Sequence, residues 1–375
     1  MTYYPSYWER SVLLKPFDFA VIGAGIIGKQ IAIKIKQKHP SARIALIDRY
    51  PVPYGASTRN AGFACFGSIS EITDDFTRSP KEAVIALAEK RFRGIQQLVQ
   101  EFGRDRIGYV HGGGYEIFET GKTEDLSLAL ENIDEINQLM KDATGLSNIF
   151  EHKTGSVSGI RCLNDYIYNS HEGMLNSGML NETIAAKAHA SGIVPFYGFN
   201  VDMFEQNTDG YRLFQTNGPA LECRQLIIAN NAFAARFLPD LDIVPARGQV
   251  IVTHPIDNLQ LNGIYHSDKG YIYFRNIDNR VLIGGGRNHF YEEEETFDFK
   301  GSEKVKNYLE NYLRTIVMPD TPFTVDMHWS GIMAMGREKL PIVKRINEHL
   351  LACVRMSGMG VALGPVLSDE VCDML

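Results

Sequence analysis

Three glycines in the run Gly23-Ala24-Gly25-Ile26-Ile27-Gly28 carry the first recognisable chemistry of this 375-residue chain. The G-x-G-x-x-G spacing suits the pyrophosphate of a dinucleotide. Gly23 permits a tight turn, Gly25 lets backbone approach the phosphates, and Gly28 lets helix and strand pack closely. The first amides of the helix that follows, with the positive end of its dipole, then face the phosphate charge. Asp48, with Arg49 beside it, supplies a carboxylate for ribose hydroxyls at the distance along the chain where such sites place one.

These groups need a strand–turn–helix–strand scaffold. Phe19 to Ile22 reads as a short buried strand running into the turn. Lys29 to Lys38 predicts a helix with Ile31, Ala32 and Ile35 on its apolar side and lysines on the other, closed by Pro40. Ile44 to Ile47 predicts a second buried strand ending at Asp48, and the whole has the length of a βαβ crossover. Gly55-Ala56-Ser57-Thr58-Arg59-Asn60-Ala61-Gly62-Phe63 follows as a second loop of small residues and donors, with no helix expected in it. Its place just after the ribose acid predicts a cofactor role. The unit by itself leaves NAD and FAD both open.

Further along, helices are expected over 80–102, 126–140, 179–190 and 366–375. Strands are expected over 115–118, 193–197, 226–229, 249–253, 271–275, 281–283 and 350–354, with a hairpin turn at Asp278-Asn279. The acidic run Glu292 to Glu295 reads as a solvated loop or helix start. A chain of this length predicts two domains. With 44% apolar residues, 22% charged residues and a net charge of −7, it is an ordinary globular composition that argues against nucleic-acid binding. Five scattered cysteines, none in a C-x-x-C pair, fit reduced thiols in a cytoplasmic protein. The N-terminus, Met1 to Trp8, has no signal-peptide pattern, and no apolar run reaches membrane-spanning length. Its aromatics Tyr3, Tyr4, Tyr7 and Trp8 are expected to pack against the domain.

The Gly turn, the strand-end acid and the Ser57-x-Arg59-Asn60-x-Gly62 loop resemble the D-amino acid oxidase-like (DAO) group of FAD-dependent oxidoreductases. Later segments repeat that group's order: Pro245-Ala246-Arg247-Gly248-Gln249, Gly270 to Arg275 with Val281 to Gly285, Trp329-Ser330-Gly331, and Ser357-Gly358-Met359-Gly360-Val361. The resemblance implies an α/β fold, a Rossmann-type FAD-binding domain with an interleaved α+β substrate domain containing a large mixed or antiparallel sheet. The implied bounds are 15–80, 160–243 and 328–375 for the FAD domain, 81–159 and 244–327 for the substrate domain, and 1–14 for an N-terminal extension. Implied FAD contacts are residues Gly23 to Gly28, Asp48, Arg49, Ser57, Thr58, Arg59, Asn60, Ala61, Gly62, Phe63, Val201, Ala229, Asn230, Gly331, Gly358, Met359, Gly360 and Val361. Asn200-Val201 resembles the strand whose backbone meets adenine. Asn230 stands where the family usually has Gly. Backbone amides from Gly358 to Val361 are placed to stabilise negative charge on reduced flavin. No cysteine stands where some relatives attach flavin, so FAD is expected to be non-covalent.

The implied reaction is hydride transfer to flavin N5 from a carbon bearing an amine or, in some members, a hydroxyl. The expected partners are a small amine, amino acid or hydroxy acid and an electron acceptor, O2 or another carrier. Tyr271 matches a family tyrosine that hydrogen-bonds a substrate carboxylate, and Tyr273 is expected to share its strand face. The family's carboxylate-clamping arginine is here Met333. Arg337 is the first candidate to replace it, with Arg247, Arg275 and Arg287 behind it. Two enzyme readings stay open, oxidation of a C–N bond or of a 2-hydroxy acid such as 2-hydroxyglutarate. A non-catalytic nucleotide-binding module is the third.

Overall fold

Continuous apolar runs, bounded by glycine turns, become buried strands in the computed structural model, which describes residues 3–375. Met1 and Thr2, the start of the expected extension, lie outside the described residues. The chain forms two compact units. One comprises Met1–Thr58, Gly178–Pro245 and Met333–Leu375, the other Arg59–Ser177 and Ala246–Ile332. These bounds differ from those implied above, because 59–80 and 160–177 cluster with the second unit. There Phe63–Ala64 pairs antiparallel with Gly173–Met174, and the Ile69–Phe76 helix packs on Thr123–Thr144.

The first unit is built on a sheet with the order Ile342–Asn347, Leu350–Val354, Leu221–Ile228, Phe17–Ile22, Ile44–Asp48, Val194–Tyr197. Along this order the neighbours pair in parallel except at the Ile342–Asn347 edge, and Gly210–Phe214 and Met203–Asn207 add to Leu221–Ile228 as an antiparallel extension. Strands covered on both faces need continuous apolar sequence, and Val21, Ile44, Leu46 and Ile47 are buried. The first helix starts at Ile26, earlier than expected, because Gly25 forms its cap. Asn200-Val201 belongs to no strand. It lies in the connection between Val194–Tyr197 and Met203–Asn207, although Val201 is buried.

Lys29 corrects the expectation that the lysines of that helix face water. It is buried and donates to Asn181 Oδ1 at 2.7 Å. Burial lowers its pKa from 10.5 to about 8, with Asp48 pulling the other way. The folded-state value lies below the unfolded one, so the unfolded chain holds more protons between about pH 8 and 10.5. Stability therefore rises with pH across that window, and the full penalty of about 3 kcal/mol applies below it. Lys29→Met should stabilise the protein near neutral pH by about 2 kcal/mol, since Asn181 loses its partner. Denaturant titrations at pH 7 and pH 10 check this: the variant's advantage must shrink at the higher pH.

The second unit is built on an eight-stranded mixed sheet in the order Val325–Met335, Val244–Thr253, Arg280–Gly285, Ile272–Ile277, Ile264–Ser267, Gly114–Glu119, Cys162–Asn169, Phe150–Thr154. Ile264–Ser267 pairs in parallel with Gly114–Glu119. Tyr265 stacks between Tyr115 and Phe274, with ring centroids 4.8 and 4.9 Å away. Helix Glu303–Tyr312 covers this face through Val305, Leu309 and Tyr312. Asp278 and Asn279 both take positive φ, 46° and 56°, as a type I′ hairpin turn requires.

Two further expectations are corrected. The N-terminal aromatics do not pack against a domain: Tyr4, Tyr7 and Trp8 are exposed, and the Glu9–Leu13 turn after them buries no side chain. The acidic run is not wholly solvated. Glu294, at the end of the short helix Tyr291–Glu294, is buried on Arg247.

Candidate cofactor and substrate sites

In the first unit the Gly turn is constrained by close backbone approach. Gly23 has φ 108°, and a Cβ there would lie 2.6 Å from the carbonyl oxygen of Ala229. A Cβ on Gly28 would lie 1.8 Å from the carbonyl oxygen of Gly23, and one on Gly25 would lie 2.7 Å from Ser57 Oγ. The turn is tied to its neighbours by polar contacts. Ala24 N–H donates to Asp48 Oδ2 at 2.9 Å, and Ile26 N–H donates to Ser57 Oγ at 2.8 Å. The amides of Ile27 and Gly28 are those that the first helical turn leaves without helical acceptors.

Ser57 and Thr58 stand on the one-turn helix Ala56–Arg59, which corrects the expectation of a helix-free loop. Thr58 N–H donates to Gly55 O, closing that turn. Arg49 stacks its guanidinium on the Phe233 ring at 3.8 Å. Asn230 takes φ −91°, a backbone that needs no glycine, so the departure from the family pattern costs nothing locally. Its Oδ1 is buried without a hydrogen-bond partner.

The second Gly-rich turn of this unit opens the helix Gly360–Asp373. Ser357 and Gly358 have φ 48° and 86°, and Ser357 Oγ is buried without a partner. Met359 caps the helix, and Gly360 and Val361 supply its first amides. Met333 Sδ lies 3.5 Å from the position a Gly358 Cβ would take. The Met333 side chain thus borders this turn and offers no positive charge. Arg337 is a surface residue. Its side chain is 90% exposed and approaches Asp242 at 3.7 Å, so it is not placed as a clamp. The buried guanidinium near it is that of Arg355, which donates to Asp242 and to the carbonyl of Leu340.

In the second unit, Asn60 Oδ1 accepts from Gly62 N–H at 2.9 Å and from Ser177 Oγ at 2.6 Å. Arg59 donates to the carbonyl of Ser330, next to Gly331, and Trp329 Nε1 returns a bond to the carbonyl of Arg59. Ala61 packs on Val250, Val252 and Leu282. Phe63 meets Tyr273 and His266 edge-on. Gly62, with φ 71°, has Arg275 Nη1 pressed against it, and that guanidinium donates to the carbonyls of Gly62 and Leu175. Arg247 is held by Glu294, so neither it nor Arg275 is available as a clamp.

Tyr271 does not share a strand face with Tyr273. Its strand begins at Ile272, and Tyr271 itself has helical φ and ψ after the Asp268–Gly270 turn. Its hydroxyl accepts from Tyr291 Oη at 2.7 Å and also interacts with Arg78. Arg287 lies over the Tyr291 ring, 4.7 Å from its centre. Burial pushes the phenols of Tyr273 and Tyr291 up to about 12, so both remain hydrogen-bond donors at neutral pH. His328 is hydrogen-bonded to Gln249 Oε1, with burial lowering its pKa. Sequence reasoning missed Tyr291. The available signal was an aromatic four residues after an arginine, which is weak outside a long helix.

Residues 18–374 match the model of the FAD dependent oxidoreductase family, DAO. The chain belongs to this family. It is an oxidoreductase, and FAD is its cofactor. The first unit fits that cofactor: one glycine turn with no room for a Cβ and a second with Gly358 at φ 86°, each opening a helix, and each with a buried, partnerless oxygen beside it. The chain is similar to L-2-hydroxyglutarate dehydrogenase of Escherichia coli (strain K12), 22% identical over 331 residues, covering 80% of this chain and 73% of that protein. It is also similar to the probable oxidoreductase OrdL of Haemophilus influenzae, 24% identical over 371 residues, covering 92% and 80%. Glycine oxidase from Geobacillus kaustophilus shares the fold with TM-score 0.76 and 20% identity, covering 96% of this chain and 95% of that one. L-amino acid deaminase from Proteus vulgaris does so with TM-score 0.77 and 16% identity, covering 96% and 94%. Among the described residues, no helix is long and apolar enough to cross a membrane.

Proposed function

We propose that this family member oxidises the C–N bond of an amino acid or amine. When bound, FAD supplies the hydride acceptor. In the first unit, the amides of Ile27 and Gly28 receive the pyrophosphate, Asp48 receives ribose hydroxyls, and the Gly358–Val361 turn faces the flavin's negative end. In the second unit, Tyr271 orients the substrate through its hydroxyl.

One observation carries the choice of an amine over a hydroxy acid. The cations acting on Tyr273 and Tyr291 are Arg287 and Arg78, and burial, with Tyr271 beside Tyr291, keeps both phenols protonated against them. A hydroxy acid must give its hydroxyl proton to a base as the C–H bond breaks. A free-base amine needs none, because its nitrogen lone pair forms the C=N bond as hydride leaves. Cations and protonated phenols orient and donate, and they serve the amine without further help. The fold shared with glycine oxidase and L-amino acid deaminase supports the same reading. The similarity to L-2-hydroxyglutarate dehydrogenase favours the second reading, a 2-hydroxy acid.

Anaerobic mixing of the yellow protein with amines, D- and L-amino acids and 2-hydroxy acids separates them. Bleaching by amines or amino acids alone is expected. Bleaching by hydroxy acids alone selects the second reading, and no bleaching by any of them removes both.

A further inference from the structure

Cys65, Glu172 and His266 meet inside the second unit, although they stand far apart along the chain. The ribbon of Phe63–Ala64 and Gly173–Met174 pairs Ala64 with Gly173 in antiparallel register. The next residue on each side, Cys65 and Glu172, is thereby brought together. His266 joins them from the Ile264–Ser267 strand of the large sheet, with the Phe63 ring edge-on to its imidazole at 5.5 Å. One donor atom from each residue, a sulfur, a carboxylate oxygen and a ring nitrogen, lies within 4.8 Å of the other two. The residues are buried, with exposures of 5%, 2% and 6%. His266 Nε2 lies 3.3 Å from Glu172 Oε2, yet among the described residues it has no hydrogen-bond partner. The Glu172 carboxylate is held in place: Oε1 accepts from Phe66 N–H at 3.0 Å, and Oε2 occupies space that a Cβ on Gly114 would take, 2.0 Å away.

Carboxylates crowd this place. Glu172, Glu71 and Glu116 all act on His266. Arg91 pairs with Glu71 at 3.3 Å, and Glu116 accepts from Ser70 and from the amide of Ile69. Buried charges of this kind are paired or bind metal. A thiolate and a carboxylate together cancel a divalent charge, and the imidazole adds a neutral donor. Sulfur and nitrogen donors select a borderline-soft ion over Mg2+ or Ca2+, which take oxygen. A tetrahedral Zn2+ ion sets its donors about 3.5 Å apart, so the widest separation here must close by about 1 Å. We propose that Cys65, Glu172 and His266 bind one Zn2+ ion, which ties the ribbon to the large sheet. Binding expels the Cys65 thiol proton to solvent, and a small ligand such as water takes the fourth position. The role is structural and independent of the reaction proposed above.

The test uses the FAD-loaded protein, freed of metal with a chelator and then titrated with Zn2+. One Zn2+ per chain should remain after gel filtration. X-ray absorption at the zinc edge should show one sulfur at about 2.3 Å among nitrogen and oxygen neighbours at about 2.0–2.2 Å. Cys65→Ala should weaken binding by more than about 100-fold, beyond what loss of a merely supporting group costs. His266→Gln should do the same. Cys162→Ala, which changes a thiol outside the cluster, should bind like wild type. Zn2+ should raise the unfolding temperature of the wild type and leave that of Cys65→Ala unchanged. A wild-type protein that retains no Zn2+ overturns the proposal, whether or not the variants fold. So does a zinc spectrum without sulfur, or undiminished binding by folded Cys65→Ala.

Discussion

Gly28→Ala should yield a protein that is colourless and less stable. The new methyl would be 1.8 Å from the carbonyl oxygen of Gly23 and 3.2 Å from Val21 Cγ1. The carbonyl belongs to the turn itself, so no side chain can swing away to make room. The helix cannot retreat either, because Ile31, Ala32 and Ile35 are fully buried beneath it. The helix start and the Gly23 turn must therefore separate, which displaces the amides of Ile27 and Gly28 from their phosphate position. Forced overpacking of this kind costs about 3 kcal/mol. Absorbance of the purified variant should show only a small fraction of the wild-type flavin, and added FAD should not restore it. A variant that retains stoichiometric FAD and unfolds like wild type would show that the turn does not hold the cofactor. Gly55→Ala, where a Cβ meets nothing within 4 Å, is the matched control.

The second large effect is expected at Glu294. Its carboxylate, 1% exposed, accepts from Arg247 Nη2 at 2.7 Å and Nε at 2.9 Å, and from Gln249 Nε2 at 2.8 Å. Arg247 also donates to the carbonyls of Lys300 and Glu293, but these carry no full charge. Glu294→Ala leaves a buried guanidinium without its counter-ion, which costs about 3–5 kcal/mol. Its chain neighbours Glu292 and Glu295 are exposed, and either one changed to alanine should alter stability by less than about 0.5 kcal/mol. The double variant Arg247→Met with Glu294→Leu should recover much of the loss, because neither charge then remains to be desolvated. Denaturant unfolding of the four proteins checks the series. Equal midpoints for Glu294→Ala and Glu292→Ala would contradict it.

What the sequence made legible was local. The glycine spacing, the apolar run before it and the acid after it lie within some thirty residues, and each states its own backbone requirement. The C-terminal turn is legible for the same reason, since Gly358 needs φ 86° whatever surrounds it. What escaped depends on partners far along the chain. Lys29 reads as a solvent-facing lysine until Asn181 meets it, and Glu294 as one of four surface acids until Arg247 does. Tyr271 reads as part of a strand because its neighbours alternate. Lys269 at φ 57° and Gly270 at φ 80° break the chain direction just before it, so its side chain leaves the strand pattern. Arg337 stands close to Met333 in sequence, but Asp242 holds its loop at the surface.

The central claim is that the flavin takes its electrons from a C–N bond. Hydride loss from an amino acid produces an imine, which water hydrolyses to a 2-oxo acid and ammonia. A single anaerobic turnover, with flavin reduction followed by absorbance and ammonia then counted, tests this directly. Bleaching by an amino acid with release of ammonia equimolar to the flavin reduced is the expected result. Bleaching by a 2-hydroxy acid, with no amino acid or amine able to reduce the flavin or release ammonia, would contradict it.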